Sequence, residues 1–280
     1  MRHLPSRLVL LGHPVSHSLS PLLQNAALRS LGLPLAYQAV DVPPDQLTRT
    51  MRELSAAGAA GNVTIPHKEA VARLCARLTP LAARVGAVNT FWVEDHHRLV
   101  GDNTDVDGFD ALVRHAIGAP PSDARVALLG AGGAAAAVLA AIERWDGCEV
   151  VLYNRTRRRA EALGRRFGVV AAVADSAVDA VRDARVVVNA TSVGSHDDEH
   201  PVALDAIQAG TAILDLSYRP GETSWVRAAR IRGLRSSDGF RMLLEQGALA
   251  FERWLGLPAP RAVMHAALAR TSAAGSNLPV

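Results

Sequence analysis

VALLGAGGAAAAVLAAIERW, residues 126–145, is the stretch that decides the fold of this chain. Its apolar run ends at Gly130, a glycine-rich turn follows, and an alanine-rich segment of helical composition comes next. Glycine is needed where a backbone turns tightly or approaches a pyrophosphate closely, and a small residue such as Ala135 lets the helix pack on the strand. The N–H groups of the helix N-terminus would then face the phosphates. The stretch predicts a strand-turn-helix unit that binds a dinucleotide. The alternative is a purely structural turn.

The residues after the next strand indicate which dinucleotide binds. In NAD-binding units an Asp or Glu usually follows that strand and binds the ribose 2′-hydroxyl. Here EVVLY is followed by Asn154, Arg155 and Thr156, and then by three more arginines at 157–159. Guanidinium groups pair with a 2′-phosphate, whereas cations in the first turn of an ordinary helix oppose the helix dipole. The sequence therefore favours NADP over NAD.

Short β-branched runs alternate with longer helical segments in two parts of the chain. The turn cluster GAPPSD at 118–123 separates the two parts. In the second part, EVVLYN, RVVVNATS and TAILDLS are uniformly apolar, which is typical of parallel strands covered on both faces. The sequence therefore predicts an α/β protein of two domains, and the second is a Rossmann-like, doubly wound domain.

The first part also alternates between strands and helices. Arg7–Gly12 predicts a buried strand, and Pro21–Leu31 predicts a helix with Ser20 as its N-cap. GNVTIP predicts a further strand that Pro66 ends. Thr90–Val100 predicts a hairpin. The first part is thus expected to form an α/β domain of its own.

Composition argues against several classes of function. The net charge is only +3 and no dense run of Lys and Arg occurs, so nucleic acid is not an expected partner. No apolar stretch approaches the roughly 20 residues that span a membrane. Cys75 and Cys148 lie far apart, as expected of reduced thiols in a cytoplasmic protein. HDDEH at 196–200 has no metal-ligand spacing, so a solvated loop is expected there and no metal site is predicted. Monomer and homodimer both stay open.

Lys68 is the single lysine among the 30 lysines and arginines. A general bias toward arginine explains the pattern, and under that bias one lysine marks a place where arginine would not serve. Arginine cannot give up its proton near neutral pH, whereas an amine can. Other polar residues of the first part stand in GHPVSHSLSP, GNVTIPHK, GAVNT and GDNTD. Each of them has an ordinary alternative role as a helix cap, a turn residue or a surface charge.

Eight short motifs follow one another along the chain, namely GxPxxHSLSP, NVTxPxK, GAVNT, GDNTD, GAGGA, NRTxxR, NATSxG and EQG. In these motifs and their order the chain resembles the shikimate dehydrogenase family, from Gly12 to about Trp254. The resemblance implies that residues 1–106 and 239–280 form a domain that binds shikimate, so that the C-terminal helices return to the first domain. It implies that residues 107–238 form the NADP-binding domain.

The resemblance also implies roles for individual residues. The expected substrate contacts are Ser18, Ser20, Asn62, Thr64, Lys68, Asn89, Asp105, Tyr218 and Gln246. The expected NADP contacts are Gly130, Ala131, Gly132, Gly133, Ala134, Asn154, Arg155, Thr156, Arg159, Thr191 and Gly239. Lys68 and Asp105 would form the catalytic pair. Ser195 departs from the family pattern, which usually has an apolar residue there beside the nicotinamide.

The chemistry of the pair agrees with the reduction of a ketone. A lysine ammonium can donate a proton to the developing alkoxide, and Asp105 nearby would hold the lysine charged. The expected reaction is the reversible, NADP-dependent reduction of 3-dehydroshikimate to shikimate in aromatic amino acid biosynthesis. One alternative is a paralogue that acts on quinate or an amino analogue. Another, of a different class, is a non-catalytic sensor that only binds the ligands.

Overall fold

The computed structural model of the protein describes residues 4–195, 197–219 and 221–275, with side chains for all of these except 96 and 271–275. They form two compact units. The described residues of Met1–Asp105 together with Leu243–Arg270 make up the first unit, and Val106–Met242 together with the described residues after Arg270 makes up the second. The predicted two-domain α/β class is confirmed, including the return of the C-terminal helices. The sequence placed the boundaries after residues 106 and 238, and the structure divides the chain after residues 105 and 242.

The described chain alternates between strands and helices throughout. The strands are β1 Leu8–Gly12, β2 Tyr37–Asp41, β3 Ala60–Val63, β4 Arg77–Leu78, β5 Thr90–Glu94, β6 Arg98–Asp102, β7 Arg125–Leu129, β8 Glu149–Tyr153, β9 Val170–Val173, β10 Val186–Asn189, β11 Ala212–Asp215 and β12 Ser236–Ser237. The helices are α1 Ser20–Ser30, α2 Leu47–Ala56, α3 Lys68–Leu74, α4 Pro80–Val85, α5 Asp105–Ile117, α6 Gly133–Ile142, α7 Arg157–Gly164, α8 Ala177–Val181, α9 Ser224–Ile231, α10 Phe240–Leu255 and α11 Arg261–Gly275. Among these helices none is long and apolar enough to cross a membrane.

The sheet of the first unit has one reversed strand. Its order is β2-β1-β3-β5-β6-β4, and all neighbours are parallel except β5, which runs antiparallel to both β3 and β6. Thr90 at the start of β5 pairs with Asn62 on one side and with Asp102 on the other. The loops that follow β1, β3 and β6 therefore meet the loop that precedes β5 at one edge of the sheet. The hairpin predicted over Thr90–Val100 is confirmed as β5 and β6.

The prediction that Ser20 caps a helix beginning at Pro21 is wrong. Helix α1 begins at Ser20 itself, and the preceding residue, Leu19, supplies no side-chain cap. The backbone N–H of Ser20 donates to Oγ of Ser18 at 3.2 Å. Ser18 thus satisfies one of the amides that a helix N-terminus leaves free. Pro21 still occupies the first turn, where its missing N–H is not needed.

The second unit has a fully parallel sheet. Its order is β12-β11-β10-β7-β8-β9, and every neighbouring pair is parallel. The chain proceeds from β7 through β8 to β9, then returns to the other side of β7 and continues through β10, β11 and β12. This reversal beside β7 is the predicted doubly wound arrangement. Sheets of this kind bind ligands at the carboxyl ends of the strands, where the direction of winding changes.

Each sheet forms the centre of a separate hydrophobic core. All five residues of β1 and all four of β10 are buried, because helices cover both faces of these strands. In the first core Phe91 packs among residues of β1 and α2. In the second core the fully buried Trp225 packs with residues of β10 and β11. Burial of such a side chain contributes about 2–3 kcal/mol, so each sheet edge is held by a stable scaffold.

Candidate active site

The edge of the first sheet described above carries most of the predicted substrate contacts. Thr64 directly follows β3, Asn89 directly precedes β5, and Asp105 begins α5 just after β6. The side-chain amide of Asn89 donates to Oδ1 of Asp105 at 2.8 Å and to Oε1 of Gln246 at 3.3 Å. Residues that are far apart in the sequence therefore come together because the strands that carry them end at one edge.

Lys68 and Asp105 form an ion pair at this edge. Lys68 Nζ donates to Oδ2 of Asp105 at 2.6 Å. The Lys68 side chain is 16% exposed and the Asp105 side chain 5% exposed, so Lys68 is the more accessible partner. Each residue begins a helix. A helix N-terminus stabilises a carboxylate but not an ammonium, so Lys68 is held by its partner rather than by its own helix.

Asn89 fixes the orientation of this pair through Thr104. The amide nitrogen of Asn89 donates to Oγ1 of Thr104 at 2.9 Å, and its Oδ1 accepts from the backbone N–H of Thr104 at 2.8 Å. Thr104 Oγ1 donates in turn to the backbone oxygen of Gln246 at 3.0 Å. The sequence interpretation missed Thr104 as a site residue. Its presence inside GDNTD, next to Asp105, was the available signal.

Asn62 is held by two protein partners. Its Oδ1 accepts from the Tyr37 hydroxyl at 2.8 Å, and its Nδ2 donates to the backbone oxygen of Asn89 at 3.1 Å. Tyr37 stacks on Trp254 with the ring centroids 5.9 Å apart. The sequence interpretation missed both aromatic residues, because nothing in their local pattern distinguishes them from ordinary core side chains.

The remaining predicted residues of the first unit lie in the loops at the same edge. Ser18 and Ser20 stand between β1 and the first turn of α1, and Thr64 stands between β3 and α3. Among the described contacts, none of these three hydroxyls bonds to Lys68 or Asp105. Eight of the predicted substrate contacts thus belong to the first unit, and their contact with substrate stays a prediction.

Tyr218 belongs to the second unit. Its ring packs against Phe240 at an interplanar angle of 58°, with the centroids 5.9 Å apart. The expected contact of Tyr218 with substrate also stays a prediction.

A second buried carboxylate, Asp102, fastens α10 to the edge. Arg253 Nε donates to its Oδ2 at 2.8 Å, and the N–H of Asn103 donates to its Oδ1 at 2.8 Å. The Thr79 hydroxyl is a third donor. The Asp102 side chain is 3% exposed and the Arg253 side chain 50% exposed, so the carboxylate is the buried partner. Because α10 also carries Gln246, this ion pair positions that residue beside Asn89.

The predicted glycine turn lies at the carboxyl edge of the second sheet. It consists of Gly130, Ala131 and Gly132, followed by Gly133 and Ala134 in the first turn of α6. Gly130 has a φ of 118°, and a Cβ on it would lie 2.8 Å from the backbone oxygen of Ala190. No atom lies within 4 Å of the place that a Cβ on Gly132 would take. Open space in front of free first-turn N–H groups fits a pyrophosphate.

The turn after β8 presents the predicted arginines. Asn154 Nδ2 donates to the backbone oxygen of Thr156 at 3.0 Å and closes the turn before α7. Arg155 and Arg159 are exposed, and among the described residues neither side chain has a hydrogen bond or ion pair. Two guanidinium groups without a carboxylate partner fit the 2′-phosphate of NADP.

Arg157 differs from these neighbours. Its guanidinium donates to Glu161 at 2.9 Å and also to Asp175. Two carboxylates neutralise its charge, so Arg157 stabilises the local structure around α7 and is not available to an anion.

Thr191 and Gly239 lie beyond β10 and β12 at the same edge. The Thr191 hydroxyl donates to Oδ1 of Asn189 at 2.6 Å. The N–H of Gly239 donates to the backbone oxygen of Ser217 at 2.9 Å, and a Cβ on Gly239 would overlap the backbone oxygen of Leu216. Close approach of two backbones therefore requires glycine at 239.

The segment after Thr191 is hydrogen-bonded to the loop after β11 at two places. The hydroxyls of Ser195 and Ser217 are hydrogen-bonded at 2.9 Å. Asp197–His200 are exposed, and Arg219 donates to Asp198 at 2.9 Å. His196 lies outside the described residues. Among those that the structure describes, no group of three or more His, Cys, Asp or Glu is arranged to hold a metal ion.

Asp215, at the end of β11, influences the carboxyl of Asp238, which directly follows β12. Asp215 is buried and accepts from the Asn189 amide and the Thr223 hydroxyl, each at 2.8 Å. Asp238 accepts from the N–H of Phe240 at 3.2 Å. Burial raises the pKa of Asp238 to about 6, with a smaller contribution from the charge of Asp215 and against the lowering effect of the Phe240 N–H. An ionised Asp238 is therefore unfavourable in the folded protein.

Replacement of this carboxyl should change how stability depends on pH. Folded Asp238 keeps its proton up to about pH 6, whereas the unfolded chain releases it at about pH 4. Ionised Asp238 lowers stability above pH 6, and the loss disappears as the pH falls toward 4. We expect the free energy of unfolding of Asp238→Asn to exceed that of wild type by a margin that grows between about pH 4 and pH 6 and then stays constant. Urea denaturation across this range measures the margin.

The exposed Asp45 provides the control. The difference in the free energy of unfolding between Asp45→Asn and wild type should not follow the same pH profile. A margin for Asp238→Asn that is independent of pH would contradict the assignment.

The doubly wound sheet and its glycine turn place the chain in the class of two-domain, dinucleotide-dependent oxidoreductases. Three family models match it: the shikimate dehydrogenase substrate binding domain over residues 10–91, shikimate / quinate 5-dehydrogenase over 112–209, and the shikimate 5′-dehydrogenase C-terminal domain over 239–269. The shikimate dehydrogenase (NADP(+)) of Moorella thermoacetica is 43% identical over 281 residues, which cover 96% of this chain and 95% of that protein. The chain belongs to the shikimate dehydrogenase family.

Solved structures agree with this membership. Shikimate 5-dehydrogenase of Thermus thermophilus, in complex with NADP(H) and shikimate, superposes with a TM-score of 0.84 at 41% identity, over 95% of this chain and 99% of that one. Quinate dehydrogenase of Corynebacterium glutamicum, in complex with NAD, has a TM-score of 0.83 at 27% identity, over 93% of this chain and 97% of that one. The fold is therefore shared by relatives with different substrates and cofactors.

Proposed function

We propose that this protein is an NADP-dependent shikimate dehydrogenase that reversibly reduces 3-dehydroshikimate to shikimate in aromatic amino acid biosynthesis. The observation that carries the proposal is the Lys68–Asp105 ion pair, which Asn89 holds at the edge of the first sheet. Residues 1–106 and 239–280 form the proposed substrate domain, and residues 107–238 form the proposed NADP domain. The similar Thermus thermophilus enzyme, with shikimate and NADP(H) bound, supports this assignment.

Lys68 is the proposed proton donor. The chemistry that a bound NADPH would supply is a hydride for the carbonyl carbon of the substrate. Lys68 Nζ, as an ammonium, stabilises the negative charge that develops on the carbonyl oxygen and donates the proton to it. In the reverse direction the neutral amine accepts the proton of the hydroxyl. Arginine could stabilise the charge but could not readily transfer the proton, which explains the single lysine in an arginine-rich chain.

Asp105 is the proposed positioning partner in that step. Its Oδ2 accepts from Lys68, and its Oδ1 accepts from Asn89. Both oxygens therefore have fixed donors, and the carboxylate is nearly inaccessible to water. A carboxylate held in this way directs the Lys68 ammonium toward one place.

The cofactor preference is proposed to depend on Arg155 and Arg159. Neither guanidinium has a partner within the described chain, and Asn154 and Thr156 shape the turn that presents them. The glycine turn at Gly130–Gly133 would receive the pyrophosphate. These residues fit NADP better than NAD. The 2′-phosphate of NADP would give the two arginines the anionic partner that the described chain does not provide.

The protein is proposed to be cytoplasmic, monomeric or homodimeric, and without a nucleic-acid partner. Cys75 and Cys148 are both free thiols. Burial raises the pKa of Cys75 to about 12, so this thiol is unreactive. The net charge of +3 gives no strong attraction to polyanions.

The first experiment follows nicotinamide absorbance with shikimate and with quinate, each in the presence of NADP and of NAD. We expect turnover with shikimate and NADP, because the arginines after β8 favour the phosphorylated cofactor. Turnover mainly with quinate or NAD would assign the protein to the activity of its Corynebacterium glutamicum relative. Binding of shikimate without turnover on any pair would support the non-catalytic sensor and contradict the proposal.

Lys68→Ala should lower kcat about 10²- to 10⁴-fold, because the step then has no positioned proton donor. KM for shikimate should change little. Lys68→Arg is the matched variant, since it keeps the positive charge but cannot readily transfer the proton, and its kcat should stay far below wild type. Steady-state kinetics with purified variants provides both constants. A near-normal kcat in Lys68→Ala would remove this residue from the mechanism.

Arg155→Ala and Arg159→Ala should each raise KM for NADP about tenfold, because each removes a charge-assisted contact with the 2′-phosphate. KM for NAD should stay the same, since NAD has no phosphate there. Arg157→Ala is the control on the same turn, because its charge is already neutralised by Glu161 and Asp175. Equal effects of all three substitutions on NADP would show that only the net charge of the turn matters.

A further inference from the structure

A small cavity lies at the amino ends of the strands of the second sheet, opposite the edge that carries the glycine turn. Its volume is about 150 Å³, and Ile117 and Pro121 line it from the end of α5 and the link to β7. Val186 of β10 and Ala212 of β11 line it from the sheet. An apolar cavity of about this volume can hold a ring of the size of benzene. The site therefore offers room for a small apolar group.

Two arginines complete the lining of this cavity. Arg185 directly precedes β10 and Arg235 directly precedes β12, so they stand on either side of β11. The backbone oxygen of Arg185 accepts from the N–H of Ala212 at 3.0 Å, and that of Arg235 accepts from the N–H of Ile213 at 2.8 Å. The parallel register of three strands therefore fixes where both arginines stand beside the cavity.

The charges of these two arginines are not neutralised within the described chain. Both residues are exposed, and neither side chain has a hydrogen bond or ion pair with another described residue. Arg125, which begins the neighbouring strand β7, is by contrast paired with Glu149 at 3.1 Å. Guanidinium groups stay charged at physiological pH, so two positive charges line one cavity without a counterion from the described residues. An anion between them would form charge-assisted hydrogen bonds with both.

We propose that this cavity is a ligand site separate from the proposed active site, and that it binds a small carboxylic acid with an apolar ring. The ring would lie against the apolar lining, and the carboxylate would accept hydrogen bonds from Arg185 and Arg235. Ligand sites commonly combine an apolar lining with a few polar groups that fix the orientation of the ligand. The inference does not depend on the proposed function, because none of the proposed substrate or NADP contacts lines the cavity.

Benzoate is the probe, and isothermal titration calorimetry with the full chain measures its Kd. We expect Arg185→Gln and Arg235→Gln each to raise this Kd about tenfold, because each removes a charge-assisted hydrogen bond. Arg125→Gln is the matched control on the same sheet edge, since Glu149 already neutralises its charge, and its Kd should equal that of wild type. Both test positions are exposed, so all three variants should unfold at the urea concentration of wild type.

Two related compounds test the two halves of the ligand. Benzylamine has the same ring with a positive charge and should not bind, because the two guanidinium groups repel it. Acetate has the carboxylate without the ring and should bind about tenfold more weakly than benzoate, because the apolar lining then gains no contact.

Methyl NMR spectra locate the bound probe, since benzoate could also enter a site built for another ring acid. Titration with benzoate should shift the methyl signal of Ile117, which Ile117→Val identifies. The shift should be the same when shikimate and NADP are present at saturating concentrations.

An unchanged Kd for benzoate in either Arg185→Gln or Arg235→Gln would overturn the inference. So would displacement of benzoate by shikimate, or tighter binding of inorganic phosphate than of benzoate, since the site would then respond to charge alone. These results would leave the proposed function intact, because turnover of shikimate is measured separately. A Kd that rises in both variants and stays constant in Arg125→Gln supports the inference.

Discussion

The direction of β5 is the constraint on which the candidate active site depends. If β5 ran parallel to β3 and β6, Asn89 would lie at the opposite end of the sheet from Asp105. Because β5 is reversed, its first residue pairs with Asn62 and Asp102, and Asn89 stands where β3 and β6 end. One amide side chain can then reach Thr104, Asp105 and Gln246. The geometry of the candidate active site therefore depends first on strand direction.

Identical residue types have different roles here because their partners differ. Asp102 and Asp105 stand three residues apart, yet the first is paired with a half-exposed arginine and fastens a helix, whereas the second is paired with the single lysine. The same contrast separates Arg157, which two carboxylates neutralise, from Arg155 and Arg159. A polar group that is satisfied within the protein contributes to stability, and one without an internal partner is available to a ligand.

Local sequence patterns were sufficient for the class of the fold, since the apolar strands and the glycine turn meet backbone requirements that are visible over a few residues. The Lys68–Asp105 pair was also predictable, because each residue stands in a recognisable motif. Thr104 was missed although it stands in GDNTD beside Asp105, whereas Tyr37 was not predictable. Tyr37 reaches Asn62 only because β2 and β3 flank β1, and no local pattern records that order.

The helix cap of α1 and the ion pairs of Arg157 were also only partly predictable from the sequence. The residue preference for helix caps identified the right segment, but Ser18 rather than Ser20 provides the bond, because the preference does not specify where the backbone becomes helical. The neutralised charge of Arg157 depends on Asp175, eighteen residues further along the chain. Interactions of this length are set by the tertiary structure and leave no trace in a short stretch of sequence.

The attachment of α10 to the first unit has a consequence for the order in which the protein matures during synthesis. Residues 4–105 leave the ribosome early, but Gln246, Arg253 and Trp254 are made only after Val106–Met242 of the second unit. Until then Asp102 lacks its guanidinium partner, Tyr37 has no stacking partner, and Asn89 lacks one of its acceptors. Residues 106–242 are therefore synthesised while the first unit is still incomplete. Synthesis of the last helices is the event that completes the active site.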